Sequence, residues 1–269
     1  MKLGLTLPNF RDDPEPALAV ARVAEAAGLD GVFGFDHLFR RARDRGLRPA
    51  LEGMTMLGAV AAETSRIAFG PLVARASLRP PATLAVTLDT LNRIAPGRLL
   101  AAIGAGDSQS REENETFGMP AGTLATRVKQ LEDAIDATVD RGYPVWVGGA
   151  SSGVGMIAAA RADGWNRWGP TLSRFEREAR AVRDAHTRQP FTVSWGGLFV
   201  VDRTERAARQ KAARLTFSPE TVVGGPEQVA DALRAYGAAG AAWSIVGPVD
   251  SSDPENAAIL GELVKPLLT

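Results

Sequence analysis

The chain alternates short strand-like runs with helical stretches from end to end, and this alternation constrains the fold more than any other feature. The runs are KLGLTLP (2–8), GVFGF (31–35), RIAFGPLV (66–73), RLLAAIG (98–104), PVWVGG (144–149), GWNRW (164–168), TVSWGGLFV (192–200) and AWSIVG (242–247). Between them apolar residues recur at three- and four-residue spacing, the pattern of helices laid on a sheet. Strands joined through helices run parallel, so eight such units read as an α/β fold. Our reading is a (β/α)8 TIM barrel, a single domain over residues 1–269, because no G-x-G-x-x-G follows the first run, where an open dinucleotide-binding sheet places it.

The first helix shows the pattern. Ala17, Val20, Ala21, Ala24 and Ala27 fall on one face and Arg22 and Glu25 on the other, with Pro14 and Pro16 near the first turn and Gly28 at the end. Over 53–64 the inward residues are Met54, Leu57, Val60 and Ala61, and over 81–94 they are Leu84, Leu88 and Leu91. Further helices are predicted over about 123–140, 153–162, 173–187, 203–213, 226–239 and 254–264. Two connections, 36–52 and 105–122, are longer than a barrel needs. Both leave C-terminal strand ends, where barrel enzymes carry their active sites, so their length points to function.

Composition narrows the function. With 31 basic and 31 acidic residues, nothing steers the chain toward nucleic acid or an anionic membrane. The balance of 45% apolar and 23% charged residues suits a soluble globular protein, and no apolar run is long enough to span a bilayer. The apolar part of MKLGLTLPNF is too short for a signal peptide, and the absence of cysteine fits a reducing cytoplasm. With histidine only at 37 and 186 and no cysteine, no metal site is expected. Lysines at 2, 129, 211 and 265 all miss the strand ends where a Schiff-base lysine belongs.

Three strand ends carry candidate chemistry. The second run ends in Phe35-Asp36-His37, a carboxylate and an imidazole able to handle protons near neutral pH, or else a turn cap and a packed ring. The fourth ends in Gly104-Ala105-Gly106-Asp107. Its glycines let backbone approach a flat ring, and Asp107 is either an acid beside that ring or the N-cap of a following helix. Arg111, Glu112 and Glu113 read as a solvated face. The fifth leads through Gly148, Gly149, Ala150, Ser151, Ser152 and Gly153 into a helix. Bare N–H groups, two hydroxyls and a helix N-terminus make that stretch a phosphate cradle, with a serine-capped turn as the alternative. Trp146, Trp165, Trp168, Trp195 and Trp243 all fall on strands and read as core, except that one near the mouth could flank a ring.

In order, GLDGVFGFDHL (28–38), LGAVAAETSRIAFGPLV (57–73), RPPATLAVTLDTLNRIAPGRLLAAIGAGD (79–107), PVWVGGASSGVG with ARADGW (144–165) and VVGGPEQVADALRAYGAAGA (222–241) resemble the bacterial luciferase-like monooxygenase superfamily over nearly the whole chain. The resemblance implies an enzyme: a barrel binding FMN or the deazaflavin coenzyme F420, with the ring at the strand C-termini. It implies a cis peptide under the ring at Leu72–Val73, the phosphate against Gly149 to Gly153, and Asp36 and His37 nearest the reactive edge. Asp107 falls where several deazaflavin-using members carry glutamate. A homodimer acting on a small molecule is implied as well, and the long insertion common after the seventh strand is missing. The arginines at 40, 41, 43, 45 and 48 are a solvated loop or a clamp on the acidic tail of the deazaflavin. The reaction expected is hydride transfer between F420 and a small organic substrate, with His37 handling the proton. FMN-dependent monooxygenation is the alternative, and the non-redox alternatives are a phosphate-binding barrel lyase or isomerase and a cofactor carrier without turnover.

Overall fold

The computed structural model describes residues 1–41, 46–106, 110–119, 122–149 and 151–268. Eight parallel strands follow the expected order: β1 (Lys2–Thr6), β2 (Gly31–Gly34), β3 (Ala68–Pro71), β4 (Ala101–Gly104), β5 (Val145–Gly148), β6 (Gly164–Trp168), β7 (Thr192–Val201) and β8 (Trp243–Pro248). Pairing runs β3-β2-β1-β8-β7-β6-β5-β4. Closure comes at β3, whose Phe69 N–H donates to the Arg98 carbonyl at 3.0 Å and whose carbonyl accepts from Leu100 N–H at 2.9 Å. Past a bend at residues 72–73 the same strand resumes as Ala74–Arg75, paired with Ile103 and Gly104. The eight strands thus form a closed barrel.

Helices α1 (Glu15–Ala26), α2 (Gly53–Glu63) and α3 (Pro81–Ile94) bury the residues their spacing marks: Ala17, Val20, Ala21 and Ala24, then Met54, Leu57, Val60 and Ala61, then Leu84, Leu88 and Leu91. Each buried leucine contributes about 1.5–3 kcal/mol to this helix–sheet layer. The lumen is filled rather than hollow. Phe33, Leu72, Leu100, Trp146, Trp243 and Ile245 pack together there, with Trp243 edge-on to Trp146 at 5.9 Å and to Phe33 at 6.0 Å. A solid lumen leaves binding to the C-terminal face.

The long connections carry structure that the periodicity did not announce. Phe39–Arg41 pairs antiparallel with Leu47–Pro49 after β2. A short helix, α4 (Arg111–Thr116), follows β4 and precedes α5 (Leu124–Thr138). After β5 and β6 come α6 (Ser152–Arg161) and α7 (Leu172–Ala185). Between β7 and α9 (Pro226–Ala238) lie only α8 (Glu205–Ala212) and a short strand, Val222–Gly224, that pairs with Phe199–Val201. Among the described residues no helix is long and apolar enough to cross a membrane.

Candidate functional site

The C-terminal ends of the strands surround a cavity of about 680 Å³. Its walls come from the ends of β2, β3, β4, β5 and β6, from Ser110, and from Leu124, Arg127 and Val128 of α5.

One half of its floor is Val73. The Leu72–Val73 peptide bond is cis, as the resemblance implied. The Val73 side chain lies over two neighbouring strand ends, in space that any Cβ there would occupy. A Cβ at Gly104 would come within 2.4 Å of Val73 Cγ2, and one at Gly148 within 2.3 Å of Val73 Cγ1. Gly104 and Gly148 are therefore required by a neighbouring side chain, a nearer cause than the approach of a ligand ring. Gly106, with φ +69°, turns the chain away in the left-handed region that favours glycine.

Beside this floor stands the cradle. Ser151 is the N-cap of α6 and its hydroxyl accepts from Val154 N–H at 3.4 Å, so the capping alternative is realised. The cap leaves the first-turn N–H groups of Ser152 and Gly153 without helical partners. A Cβ at Gly153 would meet nothing within 4 Å, so the backbone there is open to the cavity it lines. Arg127 lines the same cavity from α5. Its Nη1 donates to the Gly122 carbonyl at 3.4 Å, its Nε is buried without a partner, and no acidic side chain pairs with it among the described residues. A cation free of carboxylates next to a helix N-terminus is an anion-ready arrangement.

The proton-handling candidates form a network at the opposite wall. His37, one-third exposed, has its Nδ1 at 3.0 Å from Glu113 Oε2. Glu113, on α4, also accepts from Leu38 N–H and pairs with Arg75 Nη2 at 2.8 Å. Burial opposes its charge, but the bonds from His37 and Leu38 and the charge of Arg75 outweigh it and hold the carboxyl below its ordinary value of 4.5. A carboxylate at Nδ1 fixes an Nδ1–H donor and leaves Nε2 as the acceptor. Asp36 is buried and already engaged. It takes Arg79 in a bidentate pair at 2.7 and 3.1 Å and accepts Arg75 N–H at 2.9 Å, while its carbonyl accepts Arg75 Nε at 2.7 Å. Arg79 also bonds Glu52, the N-cap of α2. Asp36 ties β2 to β3, in place of the open acid that its strand-end position suggested.

The remaining wall is aromatic. The Trp168 benzo ring occupies the space of two absent side chains: a Cβ at Gly196 would come within 2.4 Å of Trp168 Cε3, and one at Gly247 within 2.9 Å of Cη2. Phe35 meets the indole edge-on at 6.4 Å, Phe10 stacks on Phe35 at 5.9 Å, and Phe10 lies 5.8 Å from His37.

Of the residues expected from sequence, Asp36, His37, Leu72, Val73, Gly104, Gly106, Gly148, Gly149, Ser151 and Gly153 all line this one cavity. Asp107 and Ala150 lie outside the described residues, as does the side chain of Ser152. Part of the basic loop, residues 42–45, lies outside them too. Glu113 corrects the expectation of a solvated 111–113 face, because it is 2% exposed under three partners. Arg75, Arg79, Arg127 and the Trp168 platform were not singled out. Two signals pointed to them: an arginine inside the apolar run 66–76 demands a buried acid, and Arg127 falls on the face of α5 that carries Leu124, Val128 and Leu131.

Comparisons with known proteins follow this geometry. The family model described as luciferase-like monooxygenase matches residues 1–140. An F420-dependent glucose-6-phosphate dehydrogenase of Beutenbergia cavernae is 33% identical over 136 residues, which are 50% of this chain and 39% of that protein. One from Kineococcus radiotolerans is 29% identical over 193 residues, 61% of this chain and 56% of that protein. The matched part of the chain thus spans 39% and 56% of the length of these two relatives. Among solved structures, an F420-dependent secondary alcohol dehydrogenase holding an F420–acetone adduct superposes with TM-score 0.79 at 18% identity, covering 100% of this chain and 99% of that one. A riboflavin lyase with modified FMN and riboflavin superposes with TM-score 0.82 at 15% identity, covering 100% and 91%. These superpositions show the fold, the family model covers more than half of the sequence, and the chain belongs to the luciferase-like monooxygenase family.

Proposed function

We propose that the chain is an oxidoreductase that binds the deazaflavin coenzyme F420 and transfers a hydride between it and a small organic substrate, with His37 handling the proton. One observation carries the reading. A single cavity holds a carboxylate-oriented imidazole at the end of β2 and, three strands away around the barrel, a carboxylate-free guanidinium beside a bare helix N-terminus. About 680 Å³ is in the range that accommodates a ring system with a polar tail. The dehydrogenase relatives named for F420 support deazaflavin over FMN.

In this reading Gly149, Ser151 and Gly153 and the backbone of Ser152, together with Arg127, would hold the cofactor phosphate, and Leu72, Val73, Gly104, Gly106 and Gly148 would line the place of the ring. Bound there, the deazaflavin supplies the hydride acceptor or donor. The protein's own part is orientation and proton handling. Glu113 accepts the Nδ1–H of His37, so that the Nε2 lone pair takes the proton of a substrate hydroxyl, and the protonated ring returns it in the reverse direction. Arg75 and Asp36 fix Glu113 and the β2–β3 corner, so the imidazole does not swing. Asp36 thereby positions the ring-side corner through the backbone. A homodimer belongs to the same reading and is checked by sedimentation.

The test is absorbance titration of the cofactor-free protein with F420 and, separately, FMN. Tight F420 binding and bleaching of its band by an alcohol substrate are expected. Preference for FMN would replace F420 in the proposal. Binding of neither would turn the reading to a phosphate-site lyase or isomerase.

A further inference from the structure

The wall over Trp168 has no part in holding the cofactor as proposed, and its chemistry restricts what can lie beside it. Phe35 and Trp168 line this side of the cavity, and Phe10, stacked on Phe35, continues the aromatic contacts to His37. The platform depends on Gly196 and Gly247, since a Cβ at either would collide with the indole. The neighbouring polar group is neutral: Asn166 Nδ2 donates to Ser194 Oγ at 2.9 Å, inside the barrel.

Among the described residues, the basic side chains that line the cavity are His37, Arg75 and Arg127. Arg75 is 2% exposed and held by Glu113, Asn114 and Asp36, so its charge is spent within the wall. Arg127 stands on α5 with Leu124 and Val128, on the cradle side. Among the described residues, then, the aromatic side offers only His37. A phosphate monoester carries about −1.5 to −2 charges at neutral pH and is recognised through charge-assisted bonds. Laid against Phe35 and Trp168, it would lose its hydration without gaining partners among the described residues.

We infer that this half of the cavity takes an uncharged molecule with a flat apolar face, such as a cyclic or aromatic alcohol or the matching carbonyl compound, and excludes phosphorylated sugars. The inference rests on the proposed function in assigning the other half to the cofactor. It separates this chain from the dehydrogenase relatives, whose names give glucose 6-phosphate as substrate.

Titration calorimetry of the full chain, with and without F420, using benzyl alcohol and glucose 6-phosphate as probes, decides it. With F420 bound, benzyl alcohol is expected to bind saturably and glucose 6-phosphate is not; without F420, the open cradle accounts for any glucose 6-phosphate that binds, so the loaded form decides. Trp168→Ala is expected to weaken benzyl alcohol about tenfold, and Trp168→Phe to restore most of that. Circular dichroism confirms that each variant is folded, and Phe35→Ala serves as a second probe of the same surface if Trp168→Ala does not fold. Saturable binding of glucose 6-phosphate to the loaded form, tighter than that of benzyl alcohol, would overturn the inference, as would unchanged benzyl alcohol affinity in folded Trp168→Ala. F420 binding is read separately by its absorbance, so loss of the cofactor reading and loss of the substrate reading give different results.

Discussion

Val73 and Trp168 are placed by the same device on different sides of the barrel mouth. In each case one bulky side chain lies in the space of two missing Cβ atoms, Gly104 and Gly148 for Val73, Gly196 and Gly247 for Trp168. What surrounds them differs. The same cavity lining carries, besides Val73, the first turn of α6 and Arg127, which has no acidic partner among the described residues. Beside Trp168 stand phenylalanine rings and a neutral amide. The glycines make room equally well for either. On the functions proposed above, the flanking charge assigns one half to an anionic cofactor tail and the other to an uncharged substrate.

The sharpest way to break this division is at His37, where the halves meet. His37→Ala is expected to lower kcat about 100- to 10,000-fold, the usual worth of a positioned acid–base group. Its F420 dissociation constant should stay within about twofold, because the cradle is untouched. Steady-state kinetics with absorbance titration checks both. Normal turnover by the variant would remove His37 from the mechanism.

Next in size is the network beneath it. Arg75→Met leaves Glu113 buried without its guanidinium partner and the Asp36 carbonyl without its Nε donor, while the Asp36 carboxylate keeps Arg79. Removing one partner of a buried ion pair costs about 3–5 kcal/mol. Urea unfolding measures it. A loss under about 1 kcal/mol would mean that water reaches the Glu113 carboxylate and that the wall is less closed than its burial indicates.

Arg127→Ala addresses the Val73 half alone. Losing a charge-assisted bond of about 1.5–3 kcal/mol corresponds to an F420 dissociation constant raised about 10- to 100-fold. Benzyl alcohol binding should be unaffected. If both ligands weaken together, the two halves are one site.

The glycine device itself gives a smaller effect. Gly148→Ala forces Val73 aside and is expected to cost about 1–3 kcal/mol. Adding Val73→Ala removes the obstructing methyls, so the double variant should recover part of that loss, a coupling visible in a double-mutant cycle. Strict additivity would show that Val73 does not impose the glycine.

The strands and helix faces were legible because each depends on local pattern, and the cis bond at Leu72–Val73 because the family resemblance implied it. The registry of charges was not. Glu113 sits in REENET, a run with nothing to distinguish it from a solvated helix, and its partners His37 and Arg75 arrive from other strand ends. Asp36 was visible as a residue but not as an engaged one, since Arg79 reaches it from 43 positions away. Trp168 was readable as a strand tryptophan. Its platform depends on glycines in β7 and β8, whose registry exists only after the barrel closes.

The smallest effect tests whether Glu113 is charged in its place. Its folded pKa lies below the ordinary 4.5, because the bonds from His37 and Leu38 and the charge of Arg75 outweigh burial. A depressed carboxyl contributes stability that is fully present above the unfolded value. That stability is lost as pH falls through the folded value, because over that window the unfolded chain binds the extra proton. Wild type is therefore expected to lose stability progressively below about pH 4.5, and the same loss should be shallower in Glu113→Gln, which has no proton to take up. Glu25, Glu52 and Glu178 are also depressed and titrate in both proteins, so the informative quantity is the difference between the two stability curves. That difference should shrink as the pH is lowered from about 6 to about 3. A constant difference would mean that Glu113 does not hold its proton-free form against burial. It would then not fix the Nδ1–H tautomer of His37, and the division of labour at the junction of the two halves would need a different base.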